Sequence, residues 1–259
     1  MGFSETPRRT RIDTTWGGMA APGRRSVGHK ISIALAILLG ISLVPGPLIV
    51  RTFVAQPFNM PSGSMMPTML IGDHFFVSKF AYGYTRYSLP FSPPVLSRRI
   101  LAAEPQRGDL VVFRLPRDQA TDFVKRVVGM PGERIQMIGG QLHIDGQPVT
   151  RERADDFVYD DGDKTVRAKR WRETLPNGVS YETLDLQDNG FLDDTPVYTV
   201  PADAYFMLGD NRDNSVDSRM LDQVGYIPAD HLIGRVTMIF YSVDGKSGLR
   251  SERIGLYPH

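Results

Sequence analysis

The stretch FVKRVVG, Phe123–Gly129, carries the clearest signal for the fold of this 259-residue chain. Its β-branched and aromatic residues are typical of a β-strand. Side chains alternate along a strand, so Lys125 shares one face with Phe123 and Val127. The neighbouring Arg126 is expected on the opposite face, where it reaches solvent. A lysine on the inward face of an apolar strand requires an explanation.

Other short apolar runs after residue 50 predict further strands. No stretch there keeps a helical period beyond about two turns, and 25 Gly and 19 Pro favour a turn-rich β protein. Gly139-Gly140 is a hairpin-turn signal, and Asp145-Gly146 indicates another turn. We therefore predict a mainly β fold built on an antiparallel core. The additional predicted strands are 109–115, 134–138, 141–145, 204–209 and 232–242.

The stretch 150–201 differs in character from its surroundings. It is polar and charged, with Asp-Asp, Asp-Gly and Asn-Gly pairs. This composition is typical of a smaller lobe of β-hairpins inserted into the core, or of a mobile surface arm. The sequence does not decide between the two. The predicted catalytic core is then 51–149 together with 202–259.

Composition excludes several classes of protein. The chain has no cysteine, so disulfides, thiol nucleophiles and zinc–thiolate sites are ruled out. The net charge is only +1, which gives no reason to expect a nucleic-acid partner. The charge is uneven, however, because residues 1–30 carry six basic and two acidic side chains.

The run Ile31–Val50 contains twenty uncharged, mostly apolar residues. As a helix rising ~1.5 Å per residue it would span ~30 Å, about one hydrocarbon core. The basic tail 1–30 precedes it, so the positive-inside rule predicts a cytoplasmic N-terminus and a single-pass anchor in the cytoplasmic membrane. The chain after Arg51 then lies on the extracytoplasmic side. The alternative is a cleavable signal peptide, although the run is longer than a typical apolar region of one.

The loop PSGSMMPT, Pro61–Thr68, places two serines beside this apolar run. A hydroxyl nucleophile needs a base, and each of the five histidines stands alone, which is more typical of a structural role. A lysine base must be neutral, and burial lowers a lysine pKa by up to ~3–5 units. Lys125 fits that requirement. The alternative is an edge-strand lysine that prevents aggregation.

A third candidate segment is GDNRDNSVDSR, Gly209–Arg219, which follows an apolar strand. It is compatible with a solvated loop or an Asx-rich turn, and its composition is similar to a calcium loop. The regular spacing of an EF-hand loop is absent, so we predict no metal site. Its hydroxyls and carboxylates are suited to holding a lysine amine in place.

Four ordered motifs together resemble bacterial type I signal peptidases. They are PSGSMMPTM, RGDLVVF (Arg107–Phe113), KRVVGMPGE and GDNRDNSVDSR, and the likeness runs from the apolar segment to about Ser242. The resemblance implies a signal-peptidase-type antiparallel β core with an inserted lobe and an N-terminal transmembrane helix. It also implies a Ser/Lys mechanism without metal or organic cofactor. Two features depart from relatives: only one anchor is visible, and the insertion lacks a cysteine pair.

The resemblance assigns roles to particular residues. Ser64 would be the nucleophile, Lys125 its general base, and Ser62 a hydroxyl donor to the oxyanion. Ser215 would orient the lysine amine. Supporting residues would be Asp217, Arg219, Asp210 and Arg212, and the substrate cleft would be shaped by Phe58, Met60, Pro61, Asp122 and Val124.

These assignments predict a membrane-anchored serine endopeptidase that cleaves signal peptides from exported preproteins. The expected partners are those signal peptides and the lipid bilayer. Two alternatives stay open: another Ser/Lys protease, such as a self-cleaving regulator, and a non-enzymatic membrane-tethered β scaffold.

Overall fold

The computed structural model describes residues 2, 28, 31–32, 35–36, 38, 40, 55–89, 99–162, 164–245 and 248–259. The chain divides into two compact units, 1–46 and 47–259. In the first unit, the described positions from 28 to 40 have a helical backbone. Most of the predicted tail and anchor lies outside the described residues. Among those described, no helix is both long and apolar enough to span a bilayer.

The described residues of the second unit form sixteen strands and short 3-10 turns. The turns comprise Gly63–Met65, Arg86–Ser88, Arg212–Asn214, Ala229–His231 and Ser251–Arg253. The strands are β1 (Ala55–Asn59), β2 (Asp73–Ser78), β3 (Leu110–Arg114), β4 (Asp122–Gly129), β5 (Arg134–Ile138), β6 (Gln141–Ile144), β7 (Gln147–Pro148), β8 (Thr150–Arg153), β9 (Phe157–Asp161), β10 (Lys164–Thr174), β11 (Ser180–Asp185), β12 (Tyr198–Thr199), β13 (Ala204–Leu208), β14 (Ile227–Pro228), β15 (Leu232–Asp244) and β16 (Gly248–Leu249).

The largest sheet has eight strands in the order β1-β2-β15-β3-β4-β13-β14, with β16 paired to β15. All of these pairs are antiparallel. The mainly β, antiparallel fold predicted from the sequence is therefore confirmed. Strand β4, which carries Lys125, lies between β3 and β13. The interpretation of Lys125 as an edge-strand lysine is wrong, because β4 is paired on both sides.

The strand predictions agree closely with these elements. The pattern at 134–138 matches β5, and the runs at 109–115, 204–209 and 232–242 contain or largely coincide with β3, β13 and β15. The Gly139-Gly140 turn joins β5 to β6, whose residues pair antiparallel. Short apolar runs rich in β-branched residues were sufficient to locate them, because such runs are typical of buried strands.

Two smaller sheets account for the polar part of the chain. One has the order β12-β5-β6-β7, and the other has the order β11-β10-β8 with β9 also paired to β10. The stretch 150–201 thus consists largely of paired strands. Its last strand, β12, pairs with β5, which precedes residue 150. The lobe boundaries at 150 and 201 stay a prediction.

The methionine-rich loop after β1 is part of the hydrophobic core. Met60, Met65 and Met69 are buried against Phe75 and Ile239 of the large sheet. Met66 turns the other way and packs with Ala168 and Leu184 of the smaller sheet. Methionine fills such irregular spaces well because its side chain is flexible and unbranched. The loop is therefore anchored on both sides.

The prediction that Arg126 reaches solvent is wrong. Arg126 is 0% exposed, and its guanidinium forms two hydrogen bonds with the Asp210 carboxylate, at 2.8 and 2.7 Å. It also donates to the Gly108 carbonyl and lies 4.0 Å above the Tyr181 ring. Both faces of β4 are covered, so the charge is neutralised inside the protein instead of in water. Arg126 does lie on the opposite face of β4 from Lys125, as strand alternation predicts. The sequence did not reveal Asp210 as the partner of Arg126.

Removal of the Arg126 side chain should leave the Asp210 carboxylate buried without its partner. We expect Arg126→Ala to lower the free energy of unfolding by about 3–5 kcal/mol, the usual cost of breaking a buried ion pair. Urea unfolding of the protein in detergent, followed by far-UV circular dichroism, measures this change.

The matched control is Lys169→Ala, which removes a pair with Asp188 on the surface and should leave the urea midpoint unchanged. Replacing both buried partners, in Arg126→Met with Asp210→Leu, should cost less than Arg126→Ala alone. Equal midpoints for wild type and Arg126→Ala would contradict this account of the pair.

Candidate active site

Ser64 lies in the 3-10 turn Gly63–Met65, directly after β1. A Cβ at Gly63 would lie 2.5 Å from Met66 Cε, so a side chain at this position would require the flexible end of Met66 to move. Asn211 fixes the turn from the other side. Its side-chain amide donates to the Gly63 carbonyl at 3.0 Å, and its backbone N–H donates to the Ser64 carbonyl at 3.1 Å. The serine is thus held by the 209–219 loop.

Lys125 Nζ lies 2.6 Å from Ser64 Oγ, within hydrogen-bond distance. Both residues are buried, with 3% of Lys125 and 7% of Ser64 exposed. Burial lowers the pKa of Lys125 to about 8, because the charged amine loses its hydration. Asp217 and Asp210 oppose this decrease of the pKa, whereas Arg219 adds to it. A neutral amine at this position can accept the Ser64 hydroxyl proton.

Among the described residues, His143 and His231 contact backbone carbonyls instead of Ser64. The Nδ1 atom of His143 lies 3.1 Å from the Gln141 carbonyl, and that of His231 lies 3.0 Å from the Arg114 carbonyl. Burial lowers the pKa of His231. The base at hydrogen-bond distance from Ser64 is a lysine.

Ser62 lies at the mouth of the same turn. Its Oγ is 3.3 Å from Ser64 Oγ, and its side chain is exposed, in contrast to that of Ser64. A hydroxyl here can rotate to donate to a second oxygen placed beside Ser64. The position is compatible with the predicted oxyanion role.

The 209–219 loop is a network of buried ion pairs. The Arg219 guanidinium donates twice to the Asp217 carboxylate, at 2.8 Å each, and also to the Arg212 carbonyl at 2.6 Å. Burial by itself would raise the pKa of the Asp217 carboxyl. The positive charge of Arg219 and the hydrogen bond from the Gly209 N–H outweigh burial and lower that pKa. Asp217 and Arg219 lie close enough to Lys125 to shift its pKa in opposite directions. The predicted Asp217–Arg219 pair is present.

Arg212 connects this loop to the smaller sheet. It pairs with Glu173 on β10 at 2.6 Å and donates to the Tyr181 hydroxyl at 3.1 Å. Burial disfavours the charged form of Arg212. The Glu173 carboxylate outweighs this effect and raises the pKa of Arg212 above its ordinary value. Sequence reasoning found no functional residue in the 150–201 stretch. Glu173 gave no local signal, because its partner is 39 residues away.

Ser215 lies in the same loop and is buried. Gly209 has no side chain, which leaves room for Ser215. A Cβ on Gly209 would overlap Ser215 and lie 2.6 Å from the Ser64 carbonyl oxygen. The described residues show no hydrogen bond between Ser215 Oγ and Lys125 Nζ. The orienting role of Ser215 therefore stays a prediction.

A cleft of ≈530 Å³ opens above Ser64 and Lys125. All five residues predicted to shape a substrate cleft line it: Phe58, Met60, Pro61, Asp122 and Val124. The structure adds residues that the sequence analysis missed, namely Asn59, Val112, Thr121, Phe123, Asn214 and Val216.

Two strands form the walls of this cleft, β1 on one side and β4 on the other. Phe58 on β1 stacks on Phe75 with ring centroids 6.2 Å apart, which fixes one wall. Asp122 at the start of β4 accepts from Arg114 Nε at 2.6 Å, which fixes the other. An extended peptide laid between β1 and β4 would pass the Ser64 hydroxyl.

Comparisons with known proteins agree with this geometry. The model of the family "Signal peptidase, peptidase S26" matches residues 30–241. The signal peptidase I of Rickettsia typhi is 39% identical over 203 residues, which is 75% of each chain. That of Rickettsia conorii is also 39% identical, over 75% of this chain and 74% of its own.

A solved structure also matches. It is a crystal structure of a signal peptidase I from Enterococcus faecalis, 25% identical, which covers 52% of this chain and 98% of its own chain with a TM-score of 0.31. The family match spans most of the chain and includes all four motifs. This protein is therefore a serine peptidase that belongs to the signal peptidase family, peptidase S26.

Proposed function

We propose that this protein is a membrane-anchored endopeptidase that removes signal peptides from exported preproteins by a Ser64/Lys125 dyad. The observation that carries the proposal is the 2.6 Å separation of Lys125 Nζ and Ser64 Oγ in a buried site. The family membership supports signal-peptide cleavage as the activity. The dyad and the anchor are the finer parts of the proposal.

The first half of the reaction forms an acyl-enzyme. Ser64 Oγ attacks the scissile carbonyl carbon while Lys125 Nζ accepts the hydroxyl proton. The oxyanion accepts hydrogen bonds from the Ser62 hydroxyl and the Ser64 backbone N–H. As the C–N bond breaks, the Lys125 ammonium returns the proton to the leaving amine. The products of this half are the free mature chain and a Ser64 ester of the signal peptide.

The second half hydrolyses the ester. Lys125 Nζ takes a proton from water, and the hydroxide oxygen attacks the ester carbonyl. Collapse of that intermediate breaks the bond to Ser64 Oγ, which recovers its proton from Lys125. No atom or electron is required beyond those of the peptide and one water molecule. The 209–219 loop would hold the lysine amine throughout, and Ser215 would be its orienting hydroxyl.

The proposed anchor explains why such a site would stand close to the apolar run. Ser64 follows Val50 by 14 residues, a reach of at most ~50 Å when fully extended. A precursor held in the membrane by its own signal peptide would present its cleavage site within that distance. We place the N-terminus in the cytoplasm and the β core on the extracytoplasmic side, from the positive-inside rule.

Loss of either dyad member should abolish cleavage. We expect Ser64→Ala and Lys125→Met to reduce kcat/KM by about 10⁴-fold or more, because nucleophile and base act as one unit. Cleavage of a purified secretory precursor in detergent micelles, with the cut site read by mass spectrometry, measures the effect.

The matched controls are Ser180→Ala and Lys169→Met, which alter an exposed serine and an exposed lysine on the smaller sheet and should cleave normally. Circular dichroism confirms folding. Normal cleavage by folded Lys125→Met would show that another group is the base.

The pH profile of kcat/KM should have an acidic limb near 8. The neutral amine of Lys125 is the active form, so activity rises as pH increases through the lowered pKa of about 8 and falls about tenfold per unit below it. A limb near the ordinary lysine value of ~10.4 would contradict the proposed base.

Asp217→Asn tests the origin of that limb. The Asp217 carboxylate raises the pKa of Lys125, and Arg219 lowers it. Removing the negative charge should therefore shift the limb to lower pH. A shift to higher pH would show that the charge balance around the amine is different.

Ser62→Ala should reduce kcat by about 10²–10³-fold with little change in KM, because an oxyanion donor acts mainly in the transition state. Ser62→Thr keeps the hydroxyl and should retain most of the activity. Steady-state kinetics on the same precursor separates the two parameters. A rise in KM with unchanged kcat would assign Ser62 to substrate binding instead.

A further inference from the structure

The segment 248–259 lies against the large sheet, although it follows the last of the four sequence motifs. Its strand β16 pairs with the end of β15. Further along, the Ile239 N–H of β15 donates to the Leu256 carbonyl at 2.9 Å. Between these two contacts the short turn Ser251–Arg253 approaches the loop that carries Ser64.

That loop joins β1 to β2 and comprises residues 60–72; we call it the β1–β2 loop. Its two ends are joined by backbone hydrogen bonds. The Met60 N–H donates to the Asp73 carbonyl at 2.8 Å, and the Gly72 N–H donates to the Met60 carbonyl at 3.0 Å. Because the loop is closed at this base, the position of Ser64 depends on how the base is held.

The base contains a buried carboxylate, that of Asp73, which is 0% exposed. Its Oδ2 accepts the Leu70 N–H at 2.8 Å, and its Oδ1 accepts the Ser242 hydroxyl at 2.7 Å. The Arg253 guanidinium supplies a countercharge, with Nε 2.9 Å from Oδ1 and Nη2 2.6 Å from Oδ2. Arg250 is a more distant cation, at 4.0 Å. The planar contact with Arg253 is the two-point geometry in which arginine binds a carboxylate most strongly.

Arg253 also contacts the β1–β2 loop directly. Its Nη2 donates to the Thr68 carbonyl at 3.0 Å, four residues after Ser64. The Thr68 hydroxyl donates to Asp210 Oδ2 at 2.6 Å, and Asp210 is the buried partner of Arg126 on β4. Thr68 is therefore held from two sides, by the segment 248–259 and by the ion pair of the strand that carries the proposed base.

We infer that Arg253 is a positioning residue for catalysis, which fixes the β1–β2 loop so that Ser64 Oγ stays within hydrogen-bond distance of Lys125 Nζ. The inference rests on the proposed function, since it takes these two groups as the reacting pair. Arg253 is not among the described residues that line the 530 Å³ cleft. It would therefore act on the orientation of Ser64 and not on the binding of the substrate.

Arg253→Met removes the guanidinium and keeps much of the side-chain volume. In the full-length protein in detergent micelles, we expect kcat for a purified secretory precursor to fall about 10- to 100-fold, because a small misplacement of reacting groups costs that much in rate. KM should stay within about twofold of the wild-type value. The matched control is Arg172→Met, which alters a 60% exposed arginine and should change neither parameter.

A second variant separates positioning from a contribution to stability alone. Asp73→Asn combined with Arg253→Met removes both buried charges, so its urea midpoint should recover relative to Arg253→Met. The Thr68 carbonyl still lacks its donor in this variant, and kcat should therefore stay low. Recovery of kcat together with the midpoint would show that Arg253 only stabilises the fold, and would refute the inference.

Hydrogen exchange followed by mass spectrometry tests the loop without any cleavage. In Arg253→Met, peptides that cover 61–72 should exchange about tenfold faster than in wild type, because the acceptor of the Leu70 N–H loses its bound guanidinium. Peptides that cover 134–144, in β5 and β6, should exchange at the wild-type rate. Wild-type exchange at 61–72 in the variant would contradict the inference.

Failure of the proposed function gives a different pattern. Wild-type protein would then leave the precursor intact, and the catalytic role of Arg253 would fall with the dyad, whereas the faster exchange at 61–72 in Arg253→Met would persist. Normal kcat in folded Arg253→Met, measured beside an active wild type, would overturn the inference alone.

Discussion

The burial of one lysine amine is the constraint on which the rest of this structure depends. The pKa of Lys125 is lowered to about 8 because its amine is kept from water beside Ser64, so that a substantial fraction of the amine is neutral at mildly alkaline pH. Removing the lysine amine from water costs free energy of folding, and the packing of the surrounding strands has to offset that cost. An interior strand achieves this, because β4 is covered by β3 and β13 on its edges and by packed side chains on its faces.

The charged side chains around the site are paired with one another. Arg126, next to Lys125, takes its charge to the opposite face, where Asp210 neutralises it. Arg219 and Arg212 are paired with Asp217 and Glu173. A buried charge is tolerated only with such a partner. The result is a group of paired charges around a single lysine whose pKa is lowered.

This layer also ties the two parts of the second unit together. The 209–219 loop reaches the serine turn through Asn211 and reaches β10 of the smaller sheet through Arg212 and Glu173. Met66 makes the corresponding apolar contact between the serine turn and that sheet. The sheet that contains β10 therefore supports the position of Ser64. Signal-peptide processing gives that arrangement a purpose, because the enzyme must hold a long chain at a single bond.

The sequence by itself determined most of the strands and the antiparallel β fold, and it proposed the residues of the site. Strand alternation places Lys125 on an inward face, and the serine loop and the 209–219 loop supply motifs whose order is specific to one family. These features are local, so they are visible in a linear pattern. Partners far apart in the chain are not visible in this way. Arg126 was expected in water because Asp210 is 84 residues away, and Glu173 gave no signal for the same reason. Tertiary structure alone decided which charges meet and how close Lys125 Nζ lies to Ser64 Oγ, since each depends on packing between distant segments.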